Sequence, residues 1–109
     1  VLDPWATAQI NSALQSVVSS GTGKEAALGR PAAGKTGTTS SERDVWFVGY
    51  VPQLAASVWI GKDDFTPLGQ GVTGGKYAAP IWQSFMREAL KNEPEESFAS
   101  PAKFKRPGS

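Results

Sequence analysis

The chain has 109 residues, of which 39% are hydrophobic, and its 11 basic and 10 acidic side chains leave a formal net charge of +1. This length is typical of one domain or part of one, and the near-balance of charge does not favour nucleic-acid binding, which usually shows a clustered basic excess. The sequence contains neither Cys nor His. It therefore excludes disulfides, metal sites built on thiolate or imidazole, and a histidine general base. No apolar run approaches the roughly 18 residues of a membrane span, and no signal-peptide pattern is found.

The first predicted element is a helix that begins after Asp3. Asp is a favoured N-cap residue, and Pro4 suits the first helical position. Gly21 and Gly23 are expected to end the helix. One buried stripe is predicted from apolar residues at helical spacing, namely Trp5, Ile10, Leu14, Val17 and Val18.

Three strands are predicted in the middle of the chain. The runs VWFVGYV (residues 45–51) and AASVWI (residues 55–60) are rich in β-branched and aromatic residues, and the short link between them suits a hairpin. Neither run alternates cleanly, so both faces of the sheet are expected to be at least partly covered by helices. Because KTGTT (residues 35–39) precedes these runs, the simplest arrangement is an antiparallel meander.

The last regular element is a second helix that opens at Pro80. Its apolar face is formed by Ile81, Phe85 and Ala89 at i, i+4 and i+8, and is widened by Trp82, Met86 and Leu90. From Asn92 onward the chain has three prolines, balanced charges and no periodicity, a composition typical of a flexible segment. We therefore divide the chain into a folded part, residues 1–91, and a flexible tail, residues 92–109.

The segment from Lys35 to Thr39 combines a cation, a glycine and three hydroxyls at a predicted strand edge. A ligand backbone can pair with such an edge, and Gly37 leaves room for its approach. Strand alternation puts Thr36 and Thr38 on one side, where both could donate to one carboxylate, each bond contributing about 1.5–3 kcal/mol. Lys35 adds positive charge, but it lies on the other side and must reach along the twisted edge. Taken alone, this short motif favours a solvated edge strand, because three common residues recur by chance.

The wider pattern is more specific than the motif. The stretches GRPAAGKTGTTSSERDVWFVGYVP, SVWIGKDD and GGKYAAPIWQSFM, with the preceding helix and the Gly21-Thr22-Gly23 turn, cover about residues 5–90. In order and spacing they resemble the C-terminal part of the penicillin-binding transpeptidase domain, and most closely that of the class A, bifunctional peptidoglycan synthases. The resemblance implies an α+β fold (helix, three antiparallel strands, helix) that other segments complete. K-T-G is the third signature of this serine-nucleophile superfamily.

The resemblance also implies roles for the K-T-G segment. Lys35 would be catalytic, assisting proton movement and stabilising charge beside the nucleophile. Thr36 and Thr38 would bind the terminal carboxylate of a D-Ala-D-Ala stem peptide or of a β-lactam, within a substrate-binding edge that includes Gly37 and Thr39. The backbone N–H of Thr38 would form half of an oxyanion hole. Packing or loop-fixing roles are expected for five further matches, Asp44, Trp46, Phe47, Trp59 and Trp82.

The two other signatures of the superfamily are not found where its chemistry needs them. S-x-N occurs nowhere, and S-x-x-K occurs once, at Ser100 and Lys103 in the predicted tail, whereas the reaction requires Ser and Lys one turn apart on a helix. We therefore expect the chain to supply one wall of an active site, with the remainder of the same parent protein as its partner. The implied parent cross-links peptidoglycan outside the cytoplasmic membrane, is anchored by a helix in a missing segment, and needs no metal or organic cofactor.

Alternative functions remain open at this stage. K-T-G does not separate a transpeptidase from a D,D-carboxypeptidase or a β-lactamase, because these differ in whether an amine or water reaches the acyl-enzyme. A β-lactam sensor that acylates without turnover and a domain that reuses the fold as an interaction surface are the non-enzyme alternatives. The VWFVGYVP and APIWQSF contexts favour the synthase, and a glycosyltransferase segment upstream would support it.

Overall fold

The computed structural model describes residues 2–39, 42–64 and 66–107. The regular elements are helix α1 (Pro4–Ser20), strands β1 (Ala33–Thr38), β2 (Asp44–Val51) and β3 (Leu54–Gly61), and helix α2 (Ala79–Leu90). Short 3₁₀ turns lie at Lys24–Ala26 and Pro101–Lys103, and a π-helical turn, Gly74–Ala78, leads directly into α2. The strands form one antiparallel sheet in the order β1-β2-β3. The predicted α+β order of helix, meander and helix is confirmed.

Helix α1 begins and ends where the sequence predicts. The Asp3 carboxylate accepts a 3.1 Å hydrogen bond from the Ala6 N–H, and the Val17 carbonyl accepts from the N–H groups of both Gly21 and Gly23. The predicted buried stripe is only partly formed, since Ile10 is 52% exposed. The expectation for Ile10 was wrong because α1 lies beside β1, and neighbouring elements cover only part of its circumference.

The register of the strands sorts their side chains onto two faces. We call the inner face the side that carries Val45 and Phe47, together with their β1 partners Thr38 and Thr36. The outer face is the opposite side, and it carries Lys35, Gly37, Trp46, Val48 and Trp59. The side chains of Val45 and Phe47 are fully buried, so the inner face holds the core.

Helix α2 covers the inner face with one of its two apolar rows. Trp82, Met86 and Leu90 are buried, and the Trp82 ring meets the Phe47 ring edge-on at a centroid distance of 5.0 Å. The Trp82 Nε1–H donates a 3.0 Å hydrogen bond to the Ala56 carbonyl, so its polar atom is satisfied within the core.

The other apolar row of α2 was predicted to be buried and is not. Ile81 is 51% and Phe85 is 55% exposed, and Ala89 is also exposed. Successive residues of a helix are rotated by about 100°, so the sheet covers the row that contains Trp82 and leaves the adjacent row, with Ile81 and Phe85, outside. The sequence pattern could not show which row faces the sheet.

The segment after α2 packs against helix α1 and against Tyr50 on the outer face of β2. The Phe98 ring meets Tyr50 edge-on at 5.5 Å, and the Arg106 guanidinium lies 5.7 Å from the centre of the Trp5 ring. Arg30 donates to the carbonyls of Leu90, Glu93 and Pro94. The flexibility assigned to residues 92–109, of which 108–109 lie outside the described residues, stays a prediction that hydrogen exchange can test.

Among the described helices, none combines the length and apolar character needed to cross a bilayer.

Candidate functional site

A cleft of about 450 Å³ opens beside the inner face of β1. Three segments form its walls: β1 itself, the turn that follows α1, and the turn that precedes α2. The lining residues are Gly21, Thr22, Lys24, Glu25, Thr36, Thr38, Thr73, Gly75 and Lys76. Four of them carry hydroxyl groups, two are lysines and one is a glutamate. The hydroxyl donors and the excess of one positive charge suit a polar ligand with an anionic group.

The Thr38 side chain borders the cleft, and its hydroxyl is held by a hydrogen bond from the backbone. Its Oγ1 accepts a 3.1 Å hydrogen bond from the Gly74 N–H. A threonine hydroxyl has one proton and two lone pairs, so this bond occupies an acceptor position and leaves the proton available. The Thr38 hydroxyl can therefore donate to a ligand oxygen.

Thr36, two residues earlier on the same face, is paired differently. Its Oγ1 lies 2.7 Å from the Oγ1 of Thr22, in the turn after α1. One hydroxyl of the pair donates to the other, and the pair keeps one free proton for a ligand. The inner face of β1 therefore offers two hydroxyl donors, as the alternation of the sequence predicted.

Gly37 is enclosed from both faces of the sheet. A Cβ at this position would overlap the indole of Trp46 on the outer face, and the Gly74 backbone approaches the Gly37 carbonyl from the inner face. Close packing alone therefore requires a glycine here. That Gly37 also makes room for a ligand backbone stays a prediction.

The structure does not bring Lys35 or Thr39 into the cleft. Lys35 lies exposed on the outer face, and its Nζ donates a 3.0 Å hydrogen bond to the Thr36 carbonyl. The Thr39 Oγ1 accepts from the Asp44 N–H at 2.9 Å and donates to the Asp44 carbonyl at 3.3 Å, which closes the link between β1 and β2. Of the five predicted site residues, only Thr36 and Thr38 meet in one cleft, and the roles assigned to the others stay predictions.

The opposite wall of the cleft was missed by sequence reasoning. Thr22 and the turn Gly74–Ala78 are separated from Thr36 and Thr38 in the chain, and only the tertiary structure brings them to the same cleft. One local signal existed, because Thr73 precedes Lys76 at N-cap spacing, and its Oγ1 accepts a 3.3 Å hydrogen bond from the Lys76 N–H. This signal could have located the turn, but not its contact with β1.

The predicted S-x-x-K match lies in a different setting from a catalytic helix. Ser100 precedes the short turn Pro101–Lys103, and its Oγ accepts from the Ala102 N–H at 3.3 Å. Both Ser100 and Lys103 are exposed. The Ser100 hydroxyl thus caps a turn.

Fold and cleft together define a class: an α+β domain whose edge strand carries K-T-G-T beside a hydroxyl-lined cleft, as expected for a penicillin-recognising transpeptidase. The family model described as "Penicillin binding protein transpeptidase domain" matches residues 1–87. The chain belongs to this family.

The relatives of the chain support the family assignment. They also confirm the predicted resemblance to class A penicillin-binding proteins. The chain is 43% identical over 103 residues to penicillin-binding protein 1A of Pseudomonas aeruginosa, covering 93% of this chain and 12% of that protein. It is 39% identical over 106 residues to penicillin-binding protein 1A of Rickettsia prowazekii, covering 96% of this chain and 14% of the relative. The crystal structure of penicillin-binding protein 1A from Haemophilus influenzae superposes with a TM-score of 0.75 at 34% identity, over 85% of this chain and 16% of that one. The chain thus spans about one seventh of the length of these relatives.

Proposed function

We propose that this chain forms one wall of the active site of a serine D,D-transpeptidase, and that the nucleophile lies on another segment of the same protein. In the proposed reaction the serine Oγ attacks the carbonyl of the D-Ala-D-Ala amide. The C–N bond breaks, the departing D-Ala amine takes up a proton, and an acyl-enzyme ester remains. An amine of a neighbouring stem peptide then attacks the ester, which cross-links peptidoglycan and releases the serine.

The observation that carries this proposal is the pair of hydroxyls on the inner face of β1. Thr36 and Thr38 both border the cleft, and the oxygen of Thr38 already accepts from the Gly74 N–H. Two donors on one side of an edge strand suit the two oxygens of a carboxylate, and hydrogen bonds to a charged acceptor are the stronger kind. The C-terminal carboxylate of D-Ala-D-Ala and the carboxylate of a β-lactam share this chemistry.

The remaining K-T-G residues have supporting roles in the proposal. The Thr38 N–H lies on the edge strand and would donate to the oxyanion of the tetrahedral intermediate, a kind of contact that lowers an acyl-transfer barrier by about 2.7–4 kcal/mol. Lys35 would supply positive potential from the outer side of the strand. To bring its ammonium group to the reacting serine, the side chain must leave its bond to the Thr36 carbonyl.

The proposal extends to the cellular setting. Peptidoglycan cross-linking takes place outside the cytoplasmic membrane, so we place the parent protein there, anchored by a segment other than this chain. Its proposed partners are the rest of the parent protein, the peptidoglycan stem peptide and β-lactam antibiotics. The reaction as written requires no cofactor.

The first test replaces one carboxylate donor. In the full-length protein, Thr38→Val should slow β-lactam acylation about 10–100-fold, the equivalent of one hydrogen bond to a charged group. Because the change also leaves the Gly74 N–H without its acceptor, it should lower the free energy of unfolding by about 1–3 kcal/mol. Thr38→Ser keeps the hydroxyl and is the matched control. An acylation rate in Thr38→Val equal to that of the unaltered protein would overturn the carboxylate-binding role.

The second test asks where the nucleophile lies. The 109-residue chain by itself should form no covalent adduct with a fluorescent penicillin, whereas the full-length protein should be labelled at a serine outside this chain. A labelled band of the isolated chain on a denaturing gel would contradict the division of the site. Product analysis with and without an acceptor amine then separates transpeptidation from hydrolysis.

A further inference from the structure

We propose that Thr22 is a positioning residue that holds the Thr36 hydroxyl ready to donate to the substrate carboxylate. The inference rests on the proposed function, because it assumes that Thr36 binds a carboxylate. It adds a residue of the turn after α1 to the substrate-binding apparatus of β1.

The geometry of the two hydroxyls carries the inference. The Oγ1 atoms of Thr22 and Thr36 are 2.7 Å apart, the usual length of a hydrogen bond between hydroxyls. When Thr36 donates its only proton to a ligand carboxylate, its oxygen can still accept the proton of Thr22. The result is a chain from Thr22 to Thr36 to the carboxylate, in which each bond polarises the next.

Thr22 is held firmly enough to act in this way. The N–H groups of its two neighbours, Gly21 and Gly23, both bond to the Val17 carbonyl, at 3.1 and 3.0 Å. On its other side the backbone of Gly75 packs so closely that a Cβ there would overlap the Thr22 carbonyl oxygen. The turn is therefore pinned between α1 and the segment that precedes α2.

The arrangement gives each carboxylate-binding hydroxyl its own donor. Thr38 receives the N–H of Gly74, and Thr36 receives, in the proposed bound state, the O–H of Thr22. The donor to Thr38 belongs to the backbone and no substitution removes it cleanly. The donor to Thr36 is a side chain, so its contribution can be measured directly.

The experiment measures acylation of the full-length protein by benzylpenicillin and by its methyl ester, which lacks the carboxylate. We expect Thr22→Val to lower the second-order rate constant for the acid about 3–10-fold, the range of a single neutral hydrogen bond. The rate constant for the ester should change by less than about twofold, because no carboxylate contact is at stake. Thr22→Ser should restore the acid-to-ester ratio, and Thr22→Ala replaces the valine variant if that variant does not fold.

Thr36→Val separates a failure of this inference from a failure of the proposed function. If Thr36→Val lowers the acid-to-ester ratio and the Thr22 variants do not, the positioning role is overturned while carboxylate binding by Thr36 stands. If neither variant changes the ratio, carboxylate binding at Thr36 itself is overturned. Equal losses for acid and ester in Thr22→Val would assign Thr22 a purely structural role, and would also overturn the inference.

Discussion

The two faces of the sheet carry similar residue types but differ in how far their side chains are buried. The inner face buries Phe47 under Trp82, and the side chains of Thr36 and Thr38 border the cleft at its margin. On the outer face Trp59 is 61% exposed and Lys35 lies in solvent, although Trp59 is as apolar as Trp82. Within the strands, the register decides which side chains lie on which face.

The comparison shows how the K-T-G-T segment is divided. Alternation along β1 sends Thr36 and Thr38 to the inner side, and Lys35 and Gly37 to the outer side. The hydroxyls thereby meet the turns after α1 and before α2, while Gly37 receives the indole of Trp46. One short motif thus supplies both the hydroxyls that border the cleft and a packing contact.

The largest expected effect contrasts tryptophans of the two regions. Trp82→Ala removes a fully buried ring that packs on Phe47, and it should lower the free energy of unfolding by about 3–5 kcal/mol. Trp59→Ala is the matched control and should cost no more than about 0.5 kcal/mol, as for other exposed positions. Urea denaturation measures both values. Equal losses would mean that the outer face is covered in the protein, and would contradict the contrast.

A smaller loss of stability is expected when a side chain is added at Gly37. The Cβ introduced by Gly37→Ala would overlap the Trp46 indole, and overpacking of this kind costs about 1–3 kcal/mol of unfolding free energy. In a Trp46→Ala background the same substitution should cost less, because the clash has been removed. A double-mutant cycle with zero coupling would show that Trp46 is not the reason for the glycine.

The next prediction separates Thr39 from Thr38. Thr39→Val loses two hydrogen bonds to the Asp44 backbone, and it should lower the free energy of unfolding by about 1–2 kcal/mol. Thr39→Ser, which keeps the hydroxyl, should be close to the unaltered protein. Thermal denaturation gives the stability, and β-lactam acylation gives the function. A Thr39→Val variant of normal stability with strongly slowed acylation would instead place Thr39 in the ligand site, as the sequence predicted.

The smallest effect concerns Tyr50, at the covered end of the outer face. Burial raises the pKa of its phenol above the usual 10.0, and its hydroxyl donates to the Asn11 side chain. The folded state therefore holds this proton more tightly than the unfolded state. The resulting stabilisation is present below pH 10 and decreases as the pH rises through the folded pKa. In a Tyr77→Phe variant of the 109-residue chain, whose two tyrosines are Tyr50 and Tyr77, the phenolate absorbance reports Tyr50. A titration midpoint at or below 10.0 would contradict this assignment.

Much of the fold could be predicted because its signals are local. Asp3 and Pro4 mark the start of α1 through side-chain and backbone preferences that need no tertiary context. The runs around Phe47 and Val58 form strands because β-branched and aromatic residues suit a pleated sheet, and the short link between them leaves an antiparallel hairpin as the simplest connection. The hydroxyl pair at Thr36 and Thr38 follows from the period of two along a strand.

The sequence by itself determined the order of elements, the membership in the transpeptidase family and the side of β1 on which Thr36 and Thr38 lie, because propensity, alternation and motif spacing act between residues close in the chain. Only the tertiary structure decided that α2 faces the sheet with Trp82 and not with Phe85. It also decided that Thr22 and Gly74 reach the two hydroxyls of β1. These contacts join residues 14 to 36 positions apart, such as Thr22 with Thr36 and Gly74 with Thr38, and they depend on how whole elements pack, which no local pattern encodes.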